Sequence, residues 1–263
     1  MKRTAPITTL FLDIGGVLLT NGWDHHARRR AAKHFKLEWS EMEERHALNF
    51  ETHEEGRLAF KDYLDRVVFY QKRPFTRAQF RNFMCGQSKP YTEMLTLVMR
   101  LKARYDLNIT VVSNEARELN AYRIQEFKLD RFVDAFISSC FVQLRKPDVA
   151  IFRLALDISM APTREIVYIE NTPLFVQIAE GLGIRSILHT DYRTTCAKLA
   201  ALGLQHHETD DLIPFERLVG LHPIANLPPL AQREFGTVPM AIKPISDAST
   251  QFRRIARKTS ATP

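Results

Sequence analysis

The sequence predicts an α/β fold, with a Rossmann-like parallel sheet flanked by helices and a small all-helical insertion. Two observations lead to this prediction. Short runs of branched apolar residues alternate with helical patterns along most of the chain, which is typical of buried parallel strands covered on both faces. One long stretch after the first run shows only helical periodicity, which indicates an insertion between the first and second strands.

Five segments have the character of short buried strands: residues 10–13, 109–113, 135–138, 166–170 and 186–190, of which 135–138 is the weakest. Helical patterns follow at 115–127, 172–182 and 194–204, and a helix at 91–103 leads into the second strand. Because strands and helices alternate in this way, we expect the strands to lie parallel.

Residues 22–89 contain three segments with apolar residues every three or four positions and no alternating strand pattern. We therefore predict a helical insertion at residues 18–89, within a discontinuous core of residues 1–17 and 90–206. Residues 207–263 are rich in proline and basic, without sustained periodicity. We expect this C-terminal extension to be poorly ordered.

The composition favours an ordinary globular protein, with 45% hydrophobic and 25% charged residues. The net charge is +7, but residues 230–263, with six Lys/Arg against two Asp/Glu, supply +4 of it, so no nucleic-acid partner is expected. The run Arg28–Arg30 falls in a helical pattern that begins near Asp24, and we expect it to be a solvated helix face. No apolar run is long enough to predict a membrane span.

Cysteine usage favours a reducing compartment. The three cysteines, Cys85, Cys140 and Cys196, are far apart and show no CxxC spacing. We expect free thiols and a cytoplasmic location, without a disulfide framework or a cysteine metal site.

Polar residues that could take part in catalysis or ligand binding lie where the predicted strands end. In an open parallel sheet, ligands bind beyond the carboxyl ends of the strands. A carboxylate can attack phosphorus, a hydroxyl and helix amides can hold phosphate oxygens, and a lysine can offset charge. Oxygen ligands of this kind also suit Mg²⁺. The residues are Asp13, Ser113, Asn114, Glu170 and Asn171, with Lys146 just before a further helix.

Each of these residues also has a purely structural interpretation. Ser113 and Asn114 could cap a helix starting at 115, and Glu170 with Asn171 could cap the helix at 172. Asp13 could be a turn residue, and Lys146 could be an exposed loop lysine. Their shared position at the strand ends favours a site.

Four segments, FLDIGGVL, VVSNEA, LRKPDVAIF and VYIENTPLFVQIAEGLGI, resemble in this order the four motifs of the haloacid dehalogenase (HAD) superfamily. The resemblance covers about residues 8–204, and the insertion is similar to the helical cap that many members carry. The local sequence looks most like the bacterial sugar-phosphatase branch that includes an alpha-glucose-1-phosphate phosphatase. In that protein, too, glycine stands two places after the nucleophile.

The resemblance implies a function for each strand-end residue. Asp13 would be the nucleophile that forms an aspartyl-phosphate, and Lys146 would orient it and offset charge. Ser113 and Asn114, together with Lys146, would bind the phosphate. The metal ligands around Mg²⁺ would be Asp13, the Gly15 carbonyl, Glu170 and Asn171.

Two positions depart from the family pattern. Gly15 replaces the aspartate that usually protonates the leaving group, and losing a general acid typically costs about 10²–10⁴-fold in rate. The fourth motif has Glu170 and Asn171 where two aspartates are usual. His25 and His26, just past the first motif, are candidate sources of the missing proton.

The leading hypothesis is a Mg²⁺-dependent phosphatase of a small, sugar-phosphate-like metabolite. A second hypothesis is a catalytically weakened member that binds a phosphorylated ligand or a protein partner without turnover. A third is dehalogenase chemistry, in which the aspartate attacks carbon without a metal. The sequence fixes neither the substrate nor the oligomeric state.

Overall fold

The computed structural model describes residues 6–205. These residues form one sheet of five parallel strands in the order β3-β2-β1-β4-β5, with helices around it. The predicted α/β fold class is confirmed. The strands are β1 (Thr9–Leu12), β2 (Asn108–Ser113), β3 (Ala135–Ser138), β4 (Ile166–Glu170) and β5 (Arg185–Leu188).

The strand order places the carboxyl ends of β2, β1 and β4 side by side. β1 lies in the middle, paired in parallel with β2 on one side and with β4 on the other. The chain first extends from β1 through β2 to β3 and then returns to β4 across the sheet. Such a reversal opens a crevice at the carboxyl edge, where ligands bind in open α/β sheets.

Both faces of the sheet are covered. The central strands are apolar on both sides, as Leu10, Phe11 and Leu12 of β1 are fully buried. Leu10 and Leu12 pack in one hydrophobic cluster and Phe11 in a second one on the opposite face. The flanking helices are α6 (Thr92–Tyr105), α7 (Arg117–Glu126), α8 (Ser139–Val142), α9 (Val149–Ser159), α10 (Pro173–Gly181) and α11 (Tyr192–Ala201), with short 3₁₀ turns at Leu129–Arg131 and Thr163–Glu165.

Five helices lie between β1 and α6, and they share a separate hydrophobic cluster around Tyr63 and Phe80. They are α1 (His25–Phe35), α2 (Trp39–Ala47), α3 (Phe50–Glu54), α4 (Phe60–Val67) and α5 (Arg77–Gly86), called the helical segment below.

The end of α3 packs against the start of α8. The Ser139 hydroxyl donates to the Glu54 carbonyl oxygen at 2.7 Å. Gly56 has φ +69°, and a Cβ there would lie 2.4 Å from the Cys140 carbonyl oxygen. The close approach therefore requires glycine at this position.

Some details differ from the sequence-based expectations. Strand ends shift by up to two residues, and Asp13 lies one residue beyond β1. Helix α7 begins at Arg117 with Ala116 as its N-cap, so the interpretation of Ser113 and Asn114 as caps is wrong. The C-terminal extension, residues 207–263, lies outside the described residues.

The expectation of a solvated arginine run is wrong for Arg28. Its side chain is buried, donates to both carboxylate oxygens of Glu43 at 2.8 and 2.5 Å, and donates to the Trp23 carbonyl oxygen. Arg29 and Arg30 are exposed, as expected.

No helix within residues 6–205 is long and apolar enough to cross a membrane. The three cysteines form no disulfide bond with one another.

Candidate active site

A buried lysine connects two carboxylates at the carboxyl edge of the sheet. Lys146 Nζ lies 3.1 Å from Asp13 Oδ1 and 2.6 Å from Glu170 Oε2, with 1% of the lysine side chain exposed. Burial alone would lower the pKa of Lys146, but the two carboxylates raise it above its usual value. Lys146 is therefore a charged member of a buried triad, and the interpretation as an exposed loop lysine is wrong.

The carboxyl group of Glu170 is held on both oxygens by protein donors. Oε2 accepts from Lys146 and from the Tyr168 hydroxyl at 2.5 Å. Oε1 accepts from the backbone N–H groups of Asn171 and Thr172, both at 2.9 Å. Because these bonds fill its acceptor positions, Glu170 acts here mainly as the anchor of Lys146.

Burial raises the pKa of Asp13 to about 6, and the nearby Lys146 ammonium opposes this effect. Its Oδ1 atom is buried and forms no hydrogen bond within the described residues, although Lys146 lies at ion-pair distance. Asp13 is therefore the one carboxylate of the triad with free acceptor capacity, as a nucleophile requires.

Ser113 is the last residue of β2 and Asn114 follows it, so both lie at the same edge of the sheet. The Ser113 hydroxyl accepts from the backbone N–H of Ile14 at 3.5 Å. The Asn114 side chain forms two 2.8 Å hydrogen bonds with the backbone of Lys146, one to its carbonyl oxygen and one from its N–H. Asn114 thereby fixes the loop that carries the buried lysine.

The Asn171 side chain closes the other side of the loop after β1. In the amide orientation that satisfies both neighbours, its nitrogen lies 3.2 Å from the Gly15 carbonyl oxygen and 2.9 Å from Glu170 Oε1 and donates to both. If the amide turns, its oxygen faces the same place, next to the Gly15 carbonyl.

The donor set suits a hard cation such as Mg²⁺, with fewer charges than expected. The Asp13 carboxylate, the Gly15 carbonyl and the Asn171 amide oxygen are hard ligands, and the buried Oδ1 of Asp13 has no hydrogen bond. Glu170, expected from the resemblance to be a ligand, has its oxygens occupied. Among residues 6–205, no group of three or more His, Cys, Asp or Glu side chains forms a metal cage.

The space beside Gly15 contains an amide and a guanidinium. A Cβ on Gly15 would lie 3.2 Å from Asn21 Oδ1 and 3.9 Å from Arg123 Nη1. The three heavy atoms nearest to such a Cβ therefore include no carboxylate oxygen.

The buried side chain of Arg123 connects the loop after β1 with the loop after β2. It donates to Glu115 Oε1 at 2.5 Å, to the Thr20 carbonyl oxygen at 2.9 Å and to Ser88 Oγ at 3.1 Å. Gly22 has φ +71°, and a Cβ there would overlap the Arg123 guanidinium. Burial raises the pKa of Glu115 to about 7, opposed by Arg123.

A cavity of about 420 Å³ lies between the helical segment and the loop after β2. It is large enough for a small organic group. Its lining includes Asn114 of the expected site and its neighbour Glu115. It also includes residues outside the sequence motifs: Arg28, Glu43, His46, His53 and Glu54.

The structure does not bring the two candidate histidines to this cavity. His25 and His26 are both exposed on α1, and neither belongs to the cavity lining. His25 instead lies 3.5 Å from Glu43 and packs edge-on against Trp39.

Glu54 of α3 is placed more favourably for proton transfer. It lines the cavity, and its Oε2 accepts from Arg145 at 3.0 Å, directly before Lys146 in the chain. Burial raises the pKa of Glu54, and Arg145 opposes the shift. A partly buried carboxyl group with a raised pKa can hold a proton closer to neutral pH than an exposed one.

The chain belongs to the haloacid dehalogenase-like hydrolase family, whose model matches residues 13–189. The matched range begins at Asp13 and contains all of the strand-end residues described above. No match was found among curated proteins.

Solved structures of the same family share the fold. A HAD family enzyme from Bacteroides thetaiotaomicron is 19% identical, with 70% of this chain and 93% of that chain covered and a TM-score of 0.60. A HAD-like family hydrolase from Porphyromonas gingivalis is 20% identical, with 74% and 98% covered and a TM-score of 0.60. The Bacteroides enzyme has also been crystallised with magnesium and inorganic phosphate.

Dehalogenases are also among the similar structures. The L-2-haloacid dehalogenase from Xanthobacter autotrophicus is 13% identical, with 81% of this chain and 88% of that chain covered and a TM-score of 0.50. At such identities the likeness shows the fold, so the reaction has to be argued from the site.

Proposed function

We propose that this protein is a Mg²⁺-dependent phosphatase of a small phosphorylated metabolite and acts through an aspartyl-phosphate. One observation carries the proposal: Asp13 has a free buried oxygen, 3.1 Å from a lysine that Glu170 anchors at 2.6 Å. The crystallised complexes of the Bacteroides relative with magnesium and inorganic phosphate support it.

In the first step, an Asp13 oxygen attacks the phosphorus atom and the bond to the leaving oxygen breaks. Lys146 orients the carboxylate and offsets the negative charge of the phosphoryl group. The Ser113 hydroxyl and the Asn114 backbone N–H bind phosphate oxygens. Water then cleaves the aspartyl-phosphate and releases phosphate.

Mg²⁺ would be held by Asp13, the Gly15 carbonyl and the Asn171 amide oxygen. It would supply positive charge that offsets the phosphoryl oxygens during transfer. Glu170 contributes indirectly, since it keeps Lys146 beside Asp13.

Gly15 leaves the leaving group without its usual acid, and Glu54 is the residue we assign to this step. The protonated carboxyl donates to the leaving oxygen, and its carboxylate then accepts a proton from the attacking water. Glu54 suits both steps because it lines the cavity, beside Asn114 and Arg145.

The test is a panel of small phosphate esters, assayed for phosphate release with and without Mg²⁺. We expect Mg²⁺-dependent release that falls by roughly 10⁴-fold or more in Asp13→Asn. Release that is unaffected by both EDTA and Asp13→Asn would contradict the mechanism. The panel includes 2-chloropropionate, because halide release would indicate attack at carbon.

A second candidate is binding of a phosphorylated ligand or protein partner without turnover. It is favoured by the Asn171 amide, which donates to the Gly15 carbonyl where a metal would bind. Absence of turnover, together with a higher melting temperature in inorganic phosphate that Lys146→Met abolishes, would support this candidate.

A further inference from the structure

Two imidazoles of the helical segment line the cavity and have no part in the steps above: His46 of α2 and His53 of α3. Both pack around the same buried ring, Tyr63. The ring centroids of His53 and Tyr63 are 4.2 Å apart in a stacked arrangement, and those of His46 and Tyr63 are 6.0 Å apart, edge to face. The two imidazoles therefore have fixed positions in one wall of the cavity.

The protonation state of His53 follows from its backbone partner. Nδ1 lies 3.1 Å from the Leu58 carbonyl oxygen, and because a carbonyl only accepts, Nδ1 carries the proton. Burial lowers the pKa of His53, so the ring is neutral near pH 7. The other nitrogen, Nε2, is therefore an acceptor without a proton.

This acceptor has no partner. His53 is 4% exposed, and its Nε2 atom is buried without a hydrogen bond from any described residue. Buried polar atoms are nearly always paired. An unpaired acceptor in a cavity wall points to a donor that comes from a bound molecule.

His46 presents the opposite character. The Tyr63 hydroxyl accepts from Trp23 Nε1 at 2.9 Å and lies 2.8 Å from His46 Nδ1. Because Tyr63 is fully buried, its own proton goes to His46 Nδ1, the remaining acceptor within reach. Burial lowers the pKa of His46 to about 3, so the ring is neutral and Nε2 carries the proton as a donor.

The two imidazoles thus offer one uncharged acceptor and one uncharged donor. A phosphate dianion or a carboxylate has no proton for His53 Nε2, and an ammonium group has no lone pair for His46 Nε2–H. A hydroxyl group provides both a proton and lone pairs. We propose that His46 and His53 form a hydroxyl-binding subsite that recognises the alcohol part of the substrate.

The subsite rests on the proposed function only in its assignment to the leaving group of a phosphate ester. Hydroxyl binding itself needs no turnover. Substrates that fit are phosphate esters of polyhydroxylated alcohols, whose hydroxyl groups pair with both imidazoles while the phosphate lies at the sheet edge.

The experiment compares matched esters that differ only in hydroxyl groups. The pairs are glucose 6-phosphate with (tetrahydropyran-2-yl)methyl phosphate, and glycerol 2-phosphate with isopropyl phosphate. We expect kcat/KM to favour the hydroxylated member of at least one pair by about tenfold or more, because a site built for hydrogen bonds rejects analogues that lack them. Equal or better rates for both hydroxyl-free esters would overturn the proposal.

Variants assign the preference to the two histidines. His53→Leu should bring the ratio close to one while the hydroxyl-free ester is still hydrolysed, and His53→Gln should restore part of it. Tyr63→Phe, which keeps the ring but removes the hydroxyl that orients His46, should lower the ratio several-fold. The exposed control His34→Leu should leave it unchanged. An unchanged ratio in folded His53→Leu and Tyr63→Phe proteins would contradict the subsite.

A binding measurement separates this inference from the proposed function. If no ester is hydrolysed, the phosphatase proposal fails, and the melting temperature is measured in glucose and in cyclohexanol. A rise in glucose that His53→Leu removes supports the subsite, whereas no rise in the wild-type protein rejects it.

Discussion

The carboxyl edge of the sheet and the cavity wall formed by the helical segment differ in the kind of groups that they present to a ligand. At the edge, three charged side chains are buried together, with Lys146 between Asp13 and Glu170. This group of charges is suited to a phosphoryl group. In the wall, His46 and His53 are neutral and their protons are fixed by Tyr63 and Leu58. The contrast teaches that charge serves the reacting group, while neutral directional groups are suited to an uncharged alcohol.

Lys146→Met should have the largest effect, because it leaves two buried carboxylates without their cation. We expect loss of turnover and a decrease of about 3–5 kcal/mol in the free energy of unfolding, measured by urea denaturation. The matched control is Lys61→Met, which removes an exposed i,i+4 pair with Asp65 and should change stability by about 0.5 kcal/mol or less. Similar decreases in the free energy of unfolding in both variants would show that the buried triad contributes no more to stability than an exposed ion pair.

Glu54→Gln tests the proton source. Hydrolysis of alkyl phosphates should fall by about 10²–10⁴-fold, whereas p-nitrophenyl phosphate, whose leaving group needs little protonation, should be affected far less. Glu51→Gln is the matched control, since Glu51 also pairs with Arg145 at 3.0 Å but is 65% exposed.

Equal losses for both ester types in Glu54→Gln would mean that the residue only supports the structure. The original candidates are tested beside it: a loss confined to alkyl phosphates in His25→Ala or His26→Ala would move the proton source to α1.

The buried, neutral imidazole of His46 predicts a specific dependence of stability on pH. His46 has a pKa of about 3 in the folded protein, whereas an unperturbed histidine has a pKa of 6.5. The unfolded state therefore binds more protons between these values, so this contribution is fully present above about pH 6.5 and is lost as pH falls toward 3.

Urea denaturation between pH 4 and pH 7 measures this dependence. The stability difference between wild type and His46→Gln should shrink as the pH falls, whereas the exposed control His26→Gln should show a constant difference. A constant difference for His46→Gln would contradict the assignment of a neutral, buried imidazole.

Asn171→Asp should have the smallest effect and probes the metal ligands. It places a carboxylate near the Gly15 carbonyl and Glu170 Oε1. Without metal, this repulsion should lower the melting temperature, by about 2–4 °C for each kcal/mol of stability that is lost. Mg²⁺ should then raise the melting temperature more than in the wild type. Asn108→Asp, at the exposed start of β2, is the control, and equal Mg²⁺ responses would argue against a metal at Asn171.

The sheet and its edge could be predicted because their signals are local. Strands such as β4 are buried on both faces, so their apolar runs stand out, and polar residues at their ends identify the edge. Boundaries were less accurate because they also depend on contacts between residues that are distant in the sequence. Helix α7 begins two residues later than predicted because the Glu115 N–H pairs with Ser139 Oγ, and its side chain pairs with Arg123.

The cavity wall could not be predicted in this way. Glu54, His46 and His53 lie in short helices without a recognisable motif, and their approach to the edge depends on how α3 packs against α8. Arg28 was expected at the surface because its neighbours are charged, and only the placement of Glu43 explains its burial.

The most direct test of the central claim is to trap the phosphoryl group on the protein. Wild-type protein is mixed with a hydrolysed ester, denatured in acid and reduced with borohydride, which converts an aspartyl-phosphate to homoserine, and its peptides are mapped by mass spectrometry. We predict homoserine at position 13 of the wild-type protein and no homoserine at that position in Asp13→Asn. Phosphate release by Asp13→Asn at the wild-type rate, or a phosphoryl group on another residue, would contradict the account.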